Sequence, residues 1–217
     1  MDIGKAFTFI FDDDDAIKKL LIGVVVFLIP IVNFAGFGYL VQLIKNVEEG
    51  LESPLPEWDN FGGYFIDGLK VLIGLLVYSI PMLLVGCALA VSSIAIQEGV
   101  NPADANTMMG IVSVCLSCFI LIFALLPYIF MPAIFVRFAE TGELSSVFRI
   151  GELWSFIQQD IGSYAIVLLL SFVVFSFLAP LGVIACFIGA FVTQWWAYLI
   201  FGHLTGQLAK NNAAMAV

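Results

Sequence analysis

The sequence predicts an all-α, polytopic helical membrane protein with six membrane segments in three helical hairpins and amphipathic interfacial helices. Three observations predict it. Of 217 residues, 62% are hydrophobic and only 12% are charged, with a mean hydropathy of +1.08, against about half apolar and a quarter charged in soluble domains. Four stretches, residues 20–44, 71–97, 105–136 and 161–209, carry no Asp, Glu, Lys or Arg, and a hydrocarbon layer roughly 30 Å thick needs about 20 such residues in a helix. The charged residues fall between these stretches.

Taken in order, Ile3, Ala6, Phe7, Ile10 and Phe11 recur with helical period, predicting a short amphipathic helix in the headgroup plane. It is not a secretory signal, because Asp2 and the run Asp12–Asp15 stand where a basic region would be required. Residues 16–45 follow, broken near the middle by Pro30, Asn33, Gly36 and Gly38. Glu48–Gly63 reads as a loop punctuated by Pro54, Pro56, Gly62 and Gly63, with Trp58 and Phe61 as interfacial anchors. A helix entering near Asp67 and Lys70 runs to about Gln97 with Pro81 inside it. The polar turn Glu98–Thr107, containing Asn101-Pro102, separates it from a span over Met108–Val136 that holds Pro127 and Pro132. Val147, Ile150, Leu153, Trp154 and Ile157 give a second amphipathic segment. The last apolar run divides at Pro180-Leu181-Gly182, and Trp195, Trp196 and Tyr198 are expected in a headgroup belt, the commoner case, or against a neighbouring helix.

A weak internal repeat supports the grouping into hairpins. Gly4–Asp13 can be laid over Gly151–Asp160, matching Gly, Phe, Ile and Asp, and each block leads into an apolar segment ending at Pro30 or Pro180. The single membrane domain over residues 1–217 then reads as three parts: 1–52, an interfacial helix with a short hairpin; 53–136, an interfacial loop with a long hairpin; and 137–217, an amphipathic helix with a hairpin. Orientation follows from retention of Lys and Arg on the cytoplasmic side. If residues 16–45 cross once, the basic residues divide between both faces; if they turn near Pro30–Asn33, all eight lie on one side. The second choice places the protein in the cell membrane with both termini cytoplasmic. Its first two segments, about 14 residues or roughly 21 Å each, fall short of the bilayer, so the first hairpin is read as a candidate re-entrant pair.

Phe11-Asp-Asp-Asp-Asp-Ala-Ile-Lys-Lys-Leu-Leu-Ile-Gly23, Ile29-Pro-Ile31, Gly38-Tyr-Leu40, Leu55-Pro-Glu-Trp-Asp-Asn-Phe-Gly62, Phe65-Ile-Asp-Gly-Leu-Lys70 and Ala139-Glu-Thr-Gly142 resemble the prokaryotic membrane family known as domain of unknown function 4013. The likeness covers essentially the whole chain, and Leu-Pro-Glu-Trp-Asp with the following Asp-Gly-Leu-Lys is its most specific part. The resemblance implies a multi-span membrane protein of archaea and bacteria and supplies no catalytic residues. The four consecutive Asp depart from it, since a tryptophan near the third or fourth position is more usual there.

Candidate chemistry is sparse. His203, the lone histidine, is the candidate cofactor ligand, as imidazole binds haem or chlorophyll metals, set against a packing role beside Thr205 and Gln207. Cys87, Cys115, Cys118 and Cys186 all lie in apolar runs, and the Cys115-x-x-Cys118 pair reads as small buried side chains rather than a redox or metal motif. Asn33, Gln42, Ser79, Ser113, Ser117, Ser171, Ser176, Thr193 and Gln194 would line a polar path in a channel, but interhelical hydrogen bonding is their commoner use. Asp67 and Lys70, at i, i+3, read as a surface ion pair with a paired gate as the alternative, and Trp58 and Asp59 as residues that tuck a loop onto the helices. No metal and no cofactor is expected; bound lipid is. The net charge of -9 excludes a nucleic-acid partner. The expected role is a non-catalytic scaffold, assembly or accessory subunit, acting through the bilayer and a membrane-protein partner or self-association. A small-solute channel or permease comes second and a membrane enzyme third.

Overall fold

A computed structural model describes residues 1–99 and 102–215. Among them the fold is helical without strands: α1 (Ile3–Thr8), α2 (Ala16–Leu28), α3 (Phe34–Glu49), α4 (Phe61–Gly99), α5 (Pro102–Thr141), α6 (Ile150–Gln159), α7 (Ile161–Val173), α8 (Ala179–Leu181) and α9 (Cys186–Met215). The chain divides into two compact units, Met1–Gly74 with Pro132–Val217, and Leu75–Met131.

In the first unit α9 is the central element. Trp195, Ala197, Leu199, Ile200, Phe201, Leu204 and Leu208 are buried on it, the pattern of a helix apolar all round and covered on all sides. Glycines let its neighbours close in. Gly202 and Gly206, spaced as small-x-x-x-small, face α3: a Cβ at 206 would stand 2.7 Å from Val47 Cβ and 2.8 Å from the Ile44 carbonyl oxygen. Such spacing lets helix backbones approach where no hydrophobic effect drives them together. Gly23 of α2 and Gly36 of α3 both lie against the Trp195 ring, so Trp195 is 1% exposed and packs against neighbouring helices, the second of the two readings given for it. Trp196 and Tyr198 likewise face aromatic neighbours, Trp196 meeting Phe11 edge-on and Tyr198 meeting Phe27, Phe37 and Phe175. The sequence shows that these residues are amphipathic but not which neighbours have room for them.

The break in residues 16–45 is real: α2 ends at Leu28 and α3 begins at Phe34, with Ile31 between them at φ 74°, an uncommon conformation for a β-branched residue. Elsewhere the boundaries move. Phe61, Gly62 and Gly63 are helical rather than loop, because the Asn60 side chain accepts the Gly63 N–H at 3.3 Å and starts α4 early. The turn expected over Glu98–Thr107 shrinks, as α4 continues to Gly99 and α5 starts at Pro102, a residue suited to the first turn of a helix; Asn101 lies outside the described residues. Pro180 does not end its helix. A wide turn over Val174–Leu178, in which the Ala179 N–H reaches the Val174 carbonyl, absorbs the proline's missing donor. The chain then turns at Gly182–Ala185.

The expected amphipathic stripes are also rotated. α1 ends at Thr8 and tightens into a 3₁₀ turn over Phe9–Asp12, which buries Phe9 with Ala6 and Ile10 and leaves Phe11 73% exposed. On α6, Leu153, Phe156 and Ile157 are buried while Ile150 and Trp154 face outward.

Among the described residues three helical stretches, Trp58–Ile94, Asn106–Thr141 and Ile161–Ile184, are long and apolar enough to cross a membrane. In the second unit α4 presents Leu83, Leu84 and Val91 outward, and α5 presents Ile111, Val114 and Leu121. Tyr78 stacks on Phe130 at 5.6 Å. Each such side chain left in water forgoes about 1.5–3 kcal/mol of burial, so hydrocarbon is the solvent these surfaces match. The chain is a membrane-embedded protein.

Candidate functional site

The polar chemistry of the first unit concentrates where the acidic run, the start of α2 and the loop between α3 and α4 meet. Lys19 is at its centre. Its Nζ donates to Asp13 Oδ2 at 2.8 Å, to Glu57 Oε1 at 2.6 Å and to the Leu55 carbonyl at 3.2 Å, which saturates its three protons. The Lys19 and Asp13 side chains are only 7% and 6% exposed. Ser53 Oγ donates to the same Asp13 Oδ2 at 2.7 Å, and the Asp15 N–H to its Oδ1 at 2.9 Å. Burial alone pushes the Asp13 carboxyl up, yet the bonds from Lys19, Ser53 and Asp15 together with the Lys19 charge outweigh it and hold the group below the ordinary carboxylate value. Burial likewise pulls the Lys19 ammonium down, and its bonds to Asp13 and Glu57 outweigh that and leave it raised.

Around this ion lies the segment Pro54–Trp58. Two prolines deprive it of backbone donors and keep it out of helix or sheet, so its carbonyls need side-chain partners. Four consecutive ones have them. Pro54 O accepts from Asn46 Nδ2 at 2.9 Å, Leu55 O from Lys19, Pro56 O from the Tyr39 hydroxyl at 2.9 Å, and Glu57 O from the Tyr64 hydroxyl at 2.8 Å. Trp58 stacks on Tyr39 with centroids 4.3 Å apart and donates its indole N–H to the Lys19 carbonyl at 3.0 Å. Trp58 thus tucks the loop onto the helices. Pro56 is buried, so replacing Tyr39 by Phe leaves its carbonyl without a partner; the expected loss is about 1–3 kcal/mol, measured by denaturant unfolding in mild detergent.

The other sequence candidates fall as follows. His203 is buried on α9, its ring stacked on Phe9 at 4.3 Å. Gln207 fixes its tautomer: the amide exchanges bonds with the backbone of Asp2, accepting its N–H at 2.6 Å and donating to its carbonyl at 2.8 Å. The remaining Gln207 N–H therefore points to His203 Nδ1, 3.0 Å away, and the imidazole proton is on Nε2. Asp67 and Lys70 make a part-exposed ion pair at 3.2 Å, and Lys70 also reaches the Gly142 carbonyl and the Phe138 ring. Cys87, Cys115 and Cys118 are exposed free thiols, and the Cys186 side chain lies outside the described residues. Of the polar-path residues, Gln42 bonds Asn46, Gln194 bonds Tyr198, Ser79 bonds the Leu75 carbonyl and Thr193 bonds the Ala179 carbonyl at 2.6 Å. Ser117 and Ser176 are exposed and Ser113 is half-buried. Asn33 Oδ1 and Ser171 Oγ are buried without a partner among the described residues. Four of the nine thus serve their own helix or its neighbour.

The sequence does not show the Lys19 cluster because its members, Asp13, Lys19, Ser53 and Glu57, are separated by up to 44 residues of chain. The available signal was a lysine pair directly after an acidic run, followed by a proline-rich loop with a further acid. Among the described residues no group of three or more His, Cys, Asp or Glu could hold a metal ion. No curated protein and no solved structure matches the chain. A family model described as "Protein of unknown function (DUF4013)" matches residues 21–193, which run from within α2 through α8 into α9 and take in the Leu55–Asp59 segment and its partners Tyr39, Asn46 and Tyr64, but not Lys19. The chain belongs to the DUF4013 family.

Proposed function

We propose that this chain is a non-catalytic membrane protein that serves as a scaffold, assembly or accessory subunit of a membrane complex. The observation that carries the reading is that the carbonyls of the family's most specific segment are occupied in holding the loop to the helices. Their partners are Asn46, Lys19, Tyr39 and Tyr64, and a group committed to structure is not free to take part in a reaction cycle. What remains outward is largely apolar side chain, suited to lipid and to partner helices.

The proposed topology has six membrane segments in three hairpins, the first re-entrant, in the cell membrane with both termini cytoplasmic. All eight Lys and Arg, and every Asp and Glu except Glu98 and Asp104, belong to the first unit. Ser53 bonds Asp13, Lys70 bonds Gly142, and the Arg137 guanidinium lies over Phe156, linking the wet ends of several helices. This supports placing those ends on one face under the positive-inside rule. Purification in mild detergent followed by mass spectrometry tests the role. A stoichiometric membrane partner is expected, whereas a lone chain that carries small-solute flux in liposomes would replace the scaffold with a channel or permease.

A further inference from the structure

A cavity of about 320 Å³ lies in the first unit between the start of α1, the end of α3 and the last turns of α9, and the packing described above does not use it. Its walls carry charges of both signs, the Met1 α-amino group, Lys5 and Lys210 against Asp2 and Glu52, and of these Lys5 is already paired with Asp12 at 2.7 Å. Lys210 lies over Gly50, the left-handed residue that ends α3, and has no carboxylate partner among the described residues. Glu52 borders the same cavity with no cation within ion-pair distance, and Asp2 contributes a carboxylate of which one oxygen caps α1 through the Lys5 N–H. A third group is His203, 4% exposed and bordering the cavity. Its protonated Nε2 has no protein partner among the described residues, because Gln207 takes the other nitrogen. Val47, Leu51 and Pro54 supply an apolar wall.

A simple anion would meet Lys210 and the Met1 ammonium but be repelled by Glu52 and Asp2, and a simple cation would meet the reverse. A zwitterion meets both. Carboxylates call for N–H donors rather than a quaternary nitrogen, and an ammonium with an imidazole N–H suits phosphate oxygens. We propose that this cavity binds a zwitterionic group with a phosphate at Lys210 and His203 and a primary ammonium at Glu52 and Asp2, the chemistry of an ethanolamine phospholipid headgroup or its water-soluble glycerophosphodiester. The proposal goes beyond the scaffold role and does not depend on a protein partner.

The test uses the full chain in nanodiscs of phosphatidylcholine doped with phosphatidylethanolamine or phosphatidylglycerol, read by native mass spectrometry, and titrates glycerophosphoethanolamine into the detergent-solubilised protein. The expected result is about tenfold preference for the ethanolamine headgroup, an approximately tenfold loss with Lys210→Gln, and loss of discrimination against choline with Glu52→Gln. Both variants should keep the parent's unfolding midpoint, since neither residue has a polar partner to lose. Retention of the lipid alone assigns a bilayer source, and equal dependence of the soluble probe on Lys210 assigns a free one. Binding of neither probe, indifference between headgroups, or binding unchanged in both variants would overturn the proposal.

Discussion

Replacing Lys19 by Met is expected to destabilise the protein by about 3–5 kcal/mol, because it leaves a buried carboxylate without its counter-ion. Asp13 would keep only Ser53 and one backbone N–H, and Glu57 and the Leu55 carbonyl would each lose a donor. Methionine preserves most of the stem volume, so the loss reports the ammonium rather than a cavity. Chemical unfolding in detergent measures it, and a double variant with Asp13→Asn should lose less than the sum of the two single losses. The penalty also has a pH signature. Asp13 is held below its unfolded value of about 3.9, so its contribution is whole above that pH and disappears as pH falls through the lower folded value. Lys19 is held above its unfolded value of about 10.4, so its contribution is whole below that pH and is lost as pH rises through the folded value. The stability gap between the parent and Lys19→Met should stay constant from about pH 5 to 10 and close in stronger acid. A gap that widens in acid would contradict this.

Gly68→Val should be the other severe substitution. A Cβ at Gly68 would overlap the Phe34 carbonyl and stand 2.9 Å from the Gly38 nitrogen, and one at Gly38 would overlap the Tyr64 carbonyl. These are backbone atoms, which cannot swing aside as a side chain does. The loss should therefore reach or exceed the upper end of the roughly 1–3 kcal/mol typical of overpacking, seen as aggregation on gel filtration in detergent. Gly86→Val, where a Cβ meets nothing within 4 Å, is the matched control and should remain monodisperse.

The two sites differ in how far the sequence exposes them. The membrane class was legible because charge-free runs are a one-dimensional property, and the break at residues 29–33 because Pro30 and the following Asn and Gly residues interrupt helix locally. The division at Pro180-Leu181-Gly182 was legible as well, since the chain turns from Gly182, although a wide turn carries the helix through Pro180 itself. The stripe through Ile3, Phe7 and Phe11 misled because a 3₁₀ turn changes the angle per residue and brings Phe9 inward. For Trp195 the sequence leaves belt and helix contact both open, because the glycines that make room for it, Gly23 and Gly36, are remote in sequence. The Gly202-x-x-x-Gly206 spacing was readable on α9, but its face on α3 was not. For the candidate site, the Leu55-Pro-Glu-Trp-Asp segment stood out by resemblance, whereas its dependence on Tyr39, Asn46 and Lys19 is a matter of three-dimensional pairing.

The central claim, that the charged ends of these helices share one face of a bilayer, is tested most directly by cysteine accessibility in intact cells. Cys87, Cys115, Cys118 and Cys186 are first replaced by serine, and single probes are then introduced as Asp14→Cys, Glu52→Cys, Glu143→Cys, Asn211→Cys and Asp104→Cys. The account predicts that the first four react only after the membrane is permeabilised and that Asp104→Cys reacts from outside. Asp14→Cys and Glu52→Cys on opposite faces, or Asp104→Cys on the same face as the rest, would contradict it.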